Sequence, residues 1–257
     1  IFAPLLVGAR LVLPAMELFD ETEVLKLIEQ HRISWINCAP SALYPLVETS
    51  AAEDFRPLQS LRFVVLGGEP IRMNALFSWL AHAHCQARVV NSYGPTECTD
   101  VVSWHCAERI DSPQQVMPIG RPVNGTQLYI LNDYLNPVAP GLVGEICVAG
   151  IGVGLGYIDR PDVTAAVFVE NPFGSGKLYR TGDLGRYLPN GDIEYIGRKD
   201  FQVKLRGLRI ELGEIEFALK QLPGVDDSLV LVRDETLLGY VVATDAFTGM
   251  EWRSPLR

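Results

Sequence analysis

Between Thr22 and Glu97 short apolar runs alternate with amphipathic stretches, and no other feature restricts the fold as strongly. Thr22–His31 (TEVLKLIEQH) gathers Val24, Leu25, Leu27 and Ile28 on one side of a helix, with Asp20 or Thr22 near its N-cap. Ile33–Cys38 (ISWINC) reads as a buried strand, and Pro40-Ser41 opens a helix over Ala42–Thr49. Leu61–Leu66 (LRFVVL) is a second strand, stopped by Gly67-Gly68. Ile71–His82 reads as helix and Arg88–Asn91 (RVVN) as a third short strand. Strand, helix, strand, helix, strand, with short apolar strands, is the pattern of a parallel sheet covered by helices.

The texture changes after about Pro113. From Pro118 to Arg198 the chain is rich in Gly, Pro and Asn, with candidate strands at Gln127–Leu131, Glu145–Ala149, Lys177–Arg180 and Ile193–Ile196. Asn190-Gly191-Asp192 is a hairpin-turn signal, and antiparallel strands in a barrel or curled sheet are the expected outcome. After Arg198, Phe201–Arg206 alternates, Gly207 breaks it and Arg209–Leu212 resumes. Glu214–Gln221 is helical, and Leu229–Val232 and Gly239–Ala243 read as strands. The expected order is an α/β part over 1–115, a β-rich part over 116–199 and a small α+β piece over 200–257, in keeping with the about two domains that 257 residues allow.

Charge and residue usage exclude several classes. A formal charge of −9 disfavours sequence-independent binding to nucleic acid or to anionic membranes. No apolar run reaches the length of a membrane span, and Ile1–Met16, broken by Pro4, Gly8, Arg10 and Pro14, lacks the basic start and cleavage site of a signal peptide. Five cysteines, an odd number without C-x-x-C, point to a reducing, cytoplasmic setting in which the thiols act as small hydrophobes rather than as disulfide or zinc ligands. The four histidines form no H-E-x-x-H, and His82 and His84 are two apart on a helix and face different ways. An N-terminal Ile rather than Met leads to the expectation that the chain is part of a longer one.

Three glycine-centred segments follow the predicted strands. Val64–Pro70 (VVLGGEP) is as readily an ordinary tight turn as a place where a flat group lies on bare backbone. Asn91–Glu97 (NSYGPTE) is denser in chemistry. An amide can pair with a base edge, an aromatic face can stack on a ring, a hydroxyl can bond an oxyanion, and Glu97 is a hard oxygen ligand suited to Mg²⁺. Tyr179–Gly185 (YRTGDLG) offers an Asp able to accept both hydroxyls of a ribose, although Thr-Gly-Asp is also good turn chemistry. The Walker A pattern is absent, no G-x-G-x-x-G closes a Rossmann turn, and Gly150–Gly156 (GIGVGLG) reads as a loop.

The set GGEP, NSYGPTE, GEICVAGIGVGLGY, YRTGDLGRYLPNGDIEYIGRKD and QVKLRGLRIELGEIE, in this order, resembles the amino-acid-activating adenylation domain of nonribosomal peptide synthetases, within the adenylate-forming, AMP-binding superfamily. The resemblance weakens after about Asp245. It implies the C-terminal half of an adenylating core, a parallel α/β sheet followed by a β-barrel-like part, and the start of a small mobile subdomain. It implies ATP, Mg²⁺ and a carrier-borne phosphopantetheine as cofactors, an amino acid as substrate, and peptidyl carrier and condensation domains as partners, with neither nucleic acid nor membrane.

By this resemblance Gly67, Gly68 and Glu69 line the adenine and substrate cleft, Asn91 and Tyr93 hold the adenine within the run that includes Ser92 and Gly94, and Thr96 serves the α-phosphate region. Glu97 binds Mg²⁺, Asp183 takes the ribose hydroxyls, Tyr195 packs near the nucleotide and Arg198 reaches ribose or phosphate. Asp200 is the hinge, and Lys204 to Glu214 form the loop that enters for the thioester step. Thr96, Glu97, Arg198 and Lys204 are thus the catalytic candidates. Asn37, Val65, Gly67, Ser92, Asp100 and Val101 line the side-chain pocket, where Asp100 either pairs with a cationic or hydroxylated substrate or is simply solvated. The family's Ser/Thr/Gly-rich phosphate loop, amine-holding Asp and terminal catalytic Lys have no counterpart in these residues, so the chain alone is expected to be inactive. Two other readings stay open: an acyl- or aryl-acid ligase delivering to coenzyme A, and a non-catalytic nucleotide-binding remnant.

Overall fold

A computed structural model describes residues 2–14, 19–107, 110–205, 207–233 and 236–243. The chain separates into two compact units, Ile1–Gly197 and Arg198–Arg257. In the first, a short helix α1 (Phe2–Leu6) precedes α2 (Glu21–His31), whose N-terminus is capped by Asp20: its carboxylate accepts from the amides of Thr22 and Glu23 at 2.9 and 3.1 Å. Next come β1 (Trp35–Cys38), α3 (Pro40–Ser50), β2 (Phe63–Gly67), α4 (Met73–Leu80) and β3 (Arg88–Tyr93). β1, β2 and β3 are parallel neighbours, as expected. β4 (Ser103–Cys106) and β5 (Arg121–Pro122) then extend the sheet antiparallel.

Alternation along the strands decides which face the helices cover. Val64, Leu66 and Val89 point into a core built with Leu25, Ile28, Leu43, Leu46, Leu76 and Trp79, each such burial stabilising by about 2 kcal/mol. The intervening residues face the other way, and there Trp35, Phe63 and Trp104 are 46, 42 and 50 % exposed. β1, read from sequence as a buried strand, is instead a half-exposed strand at the sheet edge.

The β-rich part is a second sheet, ordered β10–β9–β7–β6 with β8 beside β9. Its elements are β6 (Thr126–Leu131), β7 (Gly144–Gly150), α5 (Pro161–Val167), β8 (Phe168–Glu170), β9 (Lys177–Tyr187) and β10 (Ile193–Arg198). The predicted Asn190–Asp192 turn joins β9 to β10, with Gly191 at φ +84° and the Leu188 amide donating to the Asp192 carbonyl at 2.8 Å. The core of this sheet (Leu128, Ile130, Ile146, Val148, Ile193) takes in Tyr93 from β3 and Cys98 and Val102 from the connection between β3 and β4, and this shared packing carries the end of β3 toward β9.

β9 differs from the sequence reading in a way that matters for function. The predicted strand ends at Arg180, with Thr-Gly-Asp as a turn after it. In the structure the strand continues to Tyr187, and Thr181–Asp183 form a bulge inside it. The register against β7 steps from Cys147↔Arg180 to Glu145↔Leu184, so three residues of β9 face Ile146 alone. The bulge is tied down on both sides. Buried Glu145 accepts from the Arg180 guanidinium at 2.7 Å and from the Gly182 amide at 3.2 Å, and the Thr181 hydroxyl donates to the Ile146 carbonyl at 2.7 Å. Gly182 sits at φ +73°, which suits glycine.

In the second unit β11 (Gln202–Leu205) pairs antiparallel with β12 (Leu208–Glu211) across Gly207, then α6 (Leu212–Lys220) follows. β13 (Val225–Arg233) pairs antiparallel with β14 (Thr236–Ala243). Leu212, Leu219 and Val230 form its small core.

Candidate functional site

The carboxyl ends of β1, β2 and β3 lie side by side, where parallel sheets hold ligands. The register Asn37↔Val65 and Gly67↔Ser92, with the two-residue alternation of strands, places Asn37, Val65, Gly67 and Ser92 on one face, opposite the helical core. Gly67 leaves little room for a side chain, since a β-carbon there would stand 3.1 Å from the Ser92 carbonyl oxygen and 2.6 Å from Ser92 Oγ, which donates to the Leu66 carbonyl at 3.0 Å. The chain returns to this edge through Thr99 and Asp100, both left-handed at φ +61° and +73°, and the Val102 amide donates to the Tyr93 carbonyl at 2.8 Å. Asp100 is exposed and Val101 half-buried at this return. A cavity of about 850 Å³ between residues 4–14, α2 and β1 takes in Asn37 but none of the other five pocket residues.

Glu69, expected to line the cleft, is engaged by protein. Its carboxylate accepts from the amide of Ser41 at 3.0 Å and from the Ser41 hydroxyl at 3.1 Å. Ser41 is the second residue of α3, so an acidic group from the β2 loop sits at the positive end of that helix. Gly68 beside it has φ +86° and open space where a β-carbon would stand.

Burial first, and then the Glu69 charge, push the nearby Cys38 thiol from 9.0 up to about 11. Above pH 9 the unfolded chain therefore binds fewer protons at this site than the folded one, and stability falls with rising pH. We expect the melting temperature to drop between pH 9 and about 11, and Cys38→Ser to flatten that drop, as followed by circular dichroism.

Asn91 and Tyr93 are both buried, at 7 and 6 % exposure. The Asn91 amide nitrogen donates to the carbonyls of Met117 and Pro118 at 3.1 and 2.9 Å, anchoring the crossover between the sheets. The Tyr93 hydroxyl donates to Asp183 Oδ2 at 2.6 Å across 90 residues of sequence. Burial, then the Asp183 charge, raise the Tyr93 hydroxyl well above its ordinary value, so it remains a donor. Asp183 is 2 % exposed, and its own amide donates to Thr181 Oγ1 at 2.9 Å. Tyr195 on β10 lies with its ring centroid 6.4 Å from that of Tyr93. The β9 bulge thus brings Asp183 to the end of β3, and the structure brings Tyr93, Asp183 and Tyr195 together, while the Asn91 amide is engaged at the crossover.

Thr96 and Glu97 stand on a single 3₁₀ turn, Thr96–Cys98. The Tyr157 hydroxyl donates to Glu97 Oε1 at 2.6 Å and lies 3.4 Å from the Tyr179 hydroxyl. The Glu97 carbonyl accepts from the Gly154 amide at 2.8 Å, and Thr99 Oγ1 donates to the Gly152 carbonyl at 2.8 Å. The glycines permit this contact: β-carbons at 152 and 154 would lie 2.8 Å from the Cys98 carbonyl oxygen and 3.0 Å from that of Glu97. Residues 151–156 form a loop, as expected, although Gly150 still belongs to β7, and the loop is also the support on which the Glu97 turn rests. Tyr157 closes the motif GEICVAGIGVGLGY but received no role from sequence, although it directly follows the glycines whose spacing is the available signal. Burial, then the Glu97 charge, push the Cys98 thiol to about 12.

No cluster of three or more His, Cys, Asp or Glu suited to a metal occurs among the described residues. One carboxylate beside a threonine hydroxyl is nevertheless a donor set that fits Mg²⁺, which keeps several waters and arrives with phosphate oxygens rather than entering an all-protein cage. In the second unit Arg198 grips Asp200 with two bonds of 2.7 Å, holding its carboxyl below the ordinary range. Lys204 lies in β11 opposite Arg209, and Glu214 in the first turn of α6.

Comparison with known proteins identifies the family. Residues 1–158 match the profile of the AMP-binding enzyme family. The chain is 42 % identical over 240 residues to tyrocidine synthase 3 of Brevibacillus parabrevis, covering 92 % of this chain and 4 % of that protein. It is 40 % identical over 262 residues to the dimodular nonribosomal peptide synthase of Bacillus subtilis (strain 168), covering 98 % and 11 %. It thus spans only a small part, 4 to 11 %, of the length of these relatives. Among solved structures it resembles holo-PA1221, a nonribosomal peptide synthetase protein containing adenylation and PCP domains, with a TM-score of 0.84 and 30 % identity over 93 % of this chain and 42 % of that one. The fold, the ordered motifs and the profile together place the chain in the AMP-binding enzyme family.

Proposed function

We propose that the protein activates an amino acid with ATP, forming aminoacyl-AMP and pyrophosphate, and passes the aminoacyl group to the phosphopantetheine thiol of a peptidyl carrier domain, with condensation domains as further partners and the cytoplasm as its setting. The observation that carries this reading is the meeting of Asp183 with Tyr93 at the carboxyl end of β3, one turn before Glu97. In the first step an amino-acid carboxylate oxygen bonds to the α-phosphorus while the bond to pyrophosphate breaks. Two anions must be brought together, and no strong base is needed. Mg²⁺, when bound, screens their charge.

Glu97 is proposed to hold that ion, Thr96 to bond an α-phosphate oxygen, and Asp183 to accept from the ribose with Tyr93 fixing its orientation. Gly67, Gly68 and Glu69 border the cleft, and Asn91, Ser92, Gly94 and Tyr195 surround the base. Asn37, Val65, Gly67, Ser92, Asp100 and Val101 form the side-chain pocket. In the thioester step the thiol attacks the acyl carbonyl and AMP leaves. Arg198 and Lys204 are assigned to the small unit that serves it, turning about Asp200. The boundary after Gly197 between the two compact units supports a hinge near this position.

The test is ATP–pyrophosphate exchange by the full-length protein with each of the twenty common amino acids. Exchange well above background with one or a few of them is expected. Exchange driven by an acyl or aryl acid, with thioester formed on coenzyme A, would make the protein an acid ligase instead. Nucleotide binding with no exchange for any acid would make it a binding module.

A further inference from the structure

We propose that Tyr157 is a positioning residue for Glu97: its hydroxyl fixes the carboxylate in the orientation that receives the nucleotide-borne metal ion. The proposal rests on the reading of Glu97 as the metal carboxylate.

Glu97 stands on one short turn, and its side chain has several rotamers to choose from. The contact from Tyr157 Oη to Oε1 is 2.6 Å, the length of a strong charge-assisted bond. Tyr157 is itself immobilised from three directions. Its amide donates to Thr164 Oγ1 of α5 at 2.9 Å, its ring meets Phe168 of β8 edge-on at 5.6 Å, and its hydroxyl lies 3.4 Å from that of Tyr179 on β9. The same loop also holds the Glu97 backbone through the Gly154 amide, so one segment sets both the main chain and the carboxylate of the ligand residue.

The chemistry of the partner matters as much as the distance. A lysine or arginine at 157 would hold the carboxylate equally well but would compensate its charge. A phenol donates a proton in a hydrogen bond and leaves the negative charge for a cation.

The experiment measures Mn²⁺ bound to the full-length protein in the presence of ATP, by the enhancement of the water-proton relaxation rate over that of Mn²⁺–ATP alone, for wild type, Tyr157→Phe, Glu97→Gln and the double variant. Tyr157→Phe keeps the ring packing and is expected to weaken Mn²⁺ binding about tenfold, the scale of an outer-shell partner. The double variant is expected to bind no more weakly than Glu97→Gln alone, because the hydroxyl acts only through that carboxylate. Tyr157→Phe with wild-type affinity beside a weakened Glu97→Gln would overturn the positioning role, as would additive losses. Unchanged binding in Glu97→Gln, or no nucleotide-dependent binding in wild type, would overturn the metal reading itself and this inference with it. Thr164→Val, which removes the group that holds the Tyr157 amide, provides a second arm should Tyr157→Phe not fold. It is expected to shift binding in the same direction, and an unshifted Mn²⁺ affinity there would count against the proposal.

Discussion

Replacing Asp183 by alanine is expected to abolish nucleotide binding by the full-length protein. If each hydrogen bond from a ribose hydroxyl to this carboxylate contributes about 1.5 to 3 kcal/mol, losing two weakens AMP or ATP roughly 10²- to 10⁴-fold, readily seen by titration calorimetry. The variant is also expected to lose stability, because the Tyr93 hydroxyl, buried at the 2.6 Å contact, loses its acceptor, at a cost of about 1 to 3 kcal/mol. Tyr93→Phe separates the two effects. It removes the same internal bond but keeps the carboxylate, so its affinity should fall far less than that of Asp183→Ala. An Asp183→Ala protein that binds AMP like wild type would dismiss the ribose assignment.

A second large effect is expected from Gly94→Ala, for a purely steric reason. A β-carbon at 94 would stand 1.5 Å from the Asp100 carbonyl oxygen, 2.6 Å from its carbon and 2.9 Å from Val101 Cα. All three are backbone atoms, so no side chain can swing aside, and the 94–101 segment must move as a body. We expect roughly 3 kcal/mol of lost stability in urea unfolding, at the upper end of overpacking effects. The loss of pyrophosphate exchange should be larger still, because the displaced segment carries Thr96, Glu97 and the pocket residues Asp100 and Val101. Gly68→Ala is the informative contrast. Its φ of +86° is unfavourable to alanine, but the space is open, so a cost of only about 1 kcal/mol is expected. Equal stabilities of the two variants would contradict this account.

The elements legible in the sequence are those whose signals are local. α2 announces itself through its apolar spacing and Asp20, and α3 through Pro40 at its start. β2 and β3 show as apolar runs, although β3 extends through Ser92 and Tyr93 because the pairing with β4 continues there. β4 and β8 leave no such signal, because they are short and are held by neighbours rather than by their own patterns; α5 opens on Pro161 as α3 does on Pro40, but it is only seven residues long and buries no face that would show as apolar spacing. The same division applies to the site. NSYGPTE stands out because four kinds of chemistry crowd into seven residues. The pairing of that segment with its partners does not stand out, although Asp183 itself does. Tyr157 is 60 residues from Glu97, and Asp183 is 90 from Tyr93. Those meetings depend on the packing of two sheets and on a bulge that no local pattern in β9 reveals.

The bulge in β9 has a consequence for remodelling such proteins. Tyr179, before it, borders the Glu97 carboxylate, and Asp183, its last residue, holds Tyr93, so one strand works as a gauge between the two polar anchors. Exchanging the pocket-bearing segments of the first sheet for those of a relative leaves that gauge in place, provided the graft keeps Tyr93 and Glu97. Adding or deleting a single residue between Leu178 and Leu184 resets the gauge, and would be felt at both anchors although neither anchor residue had been altered.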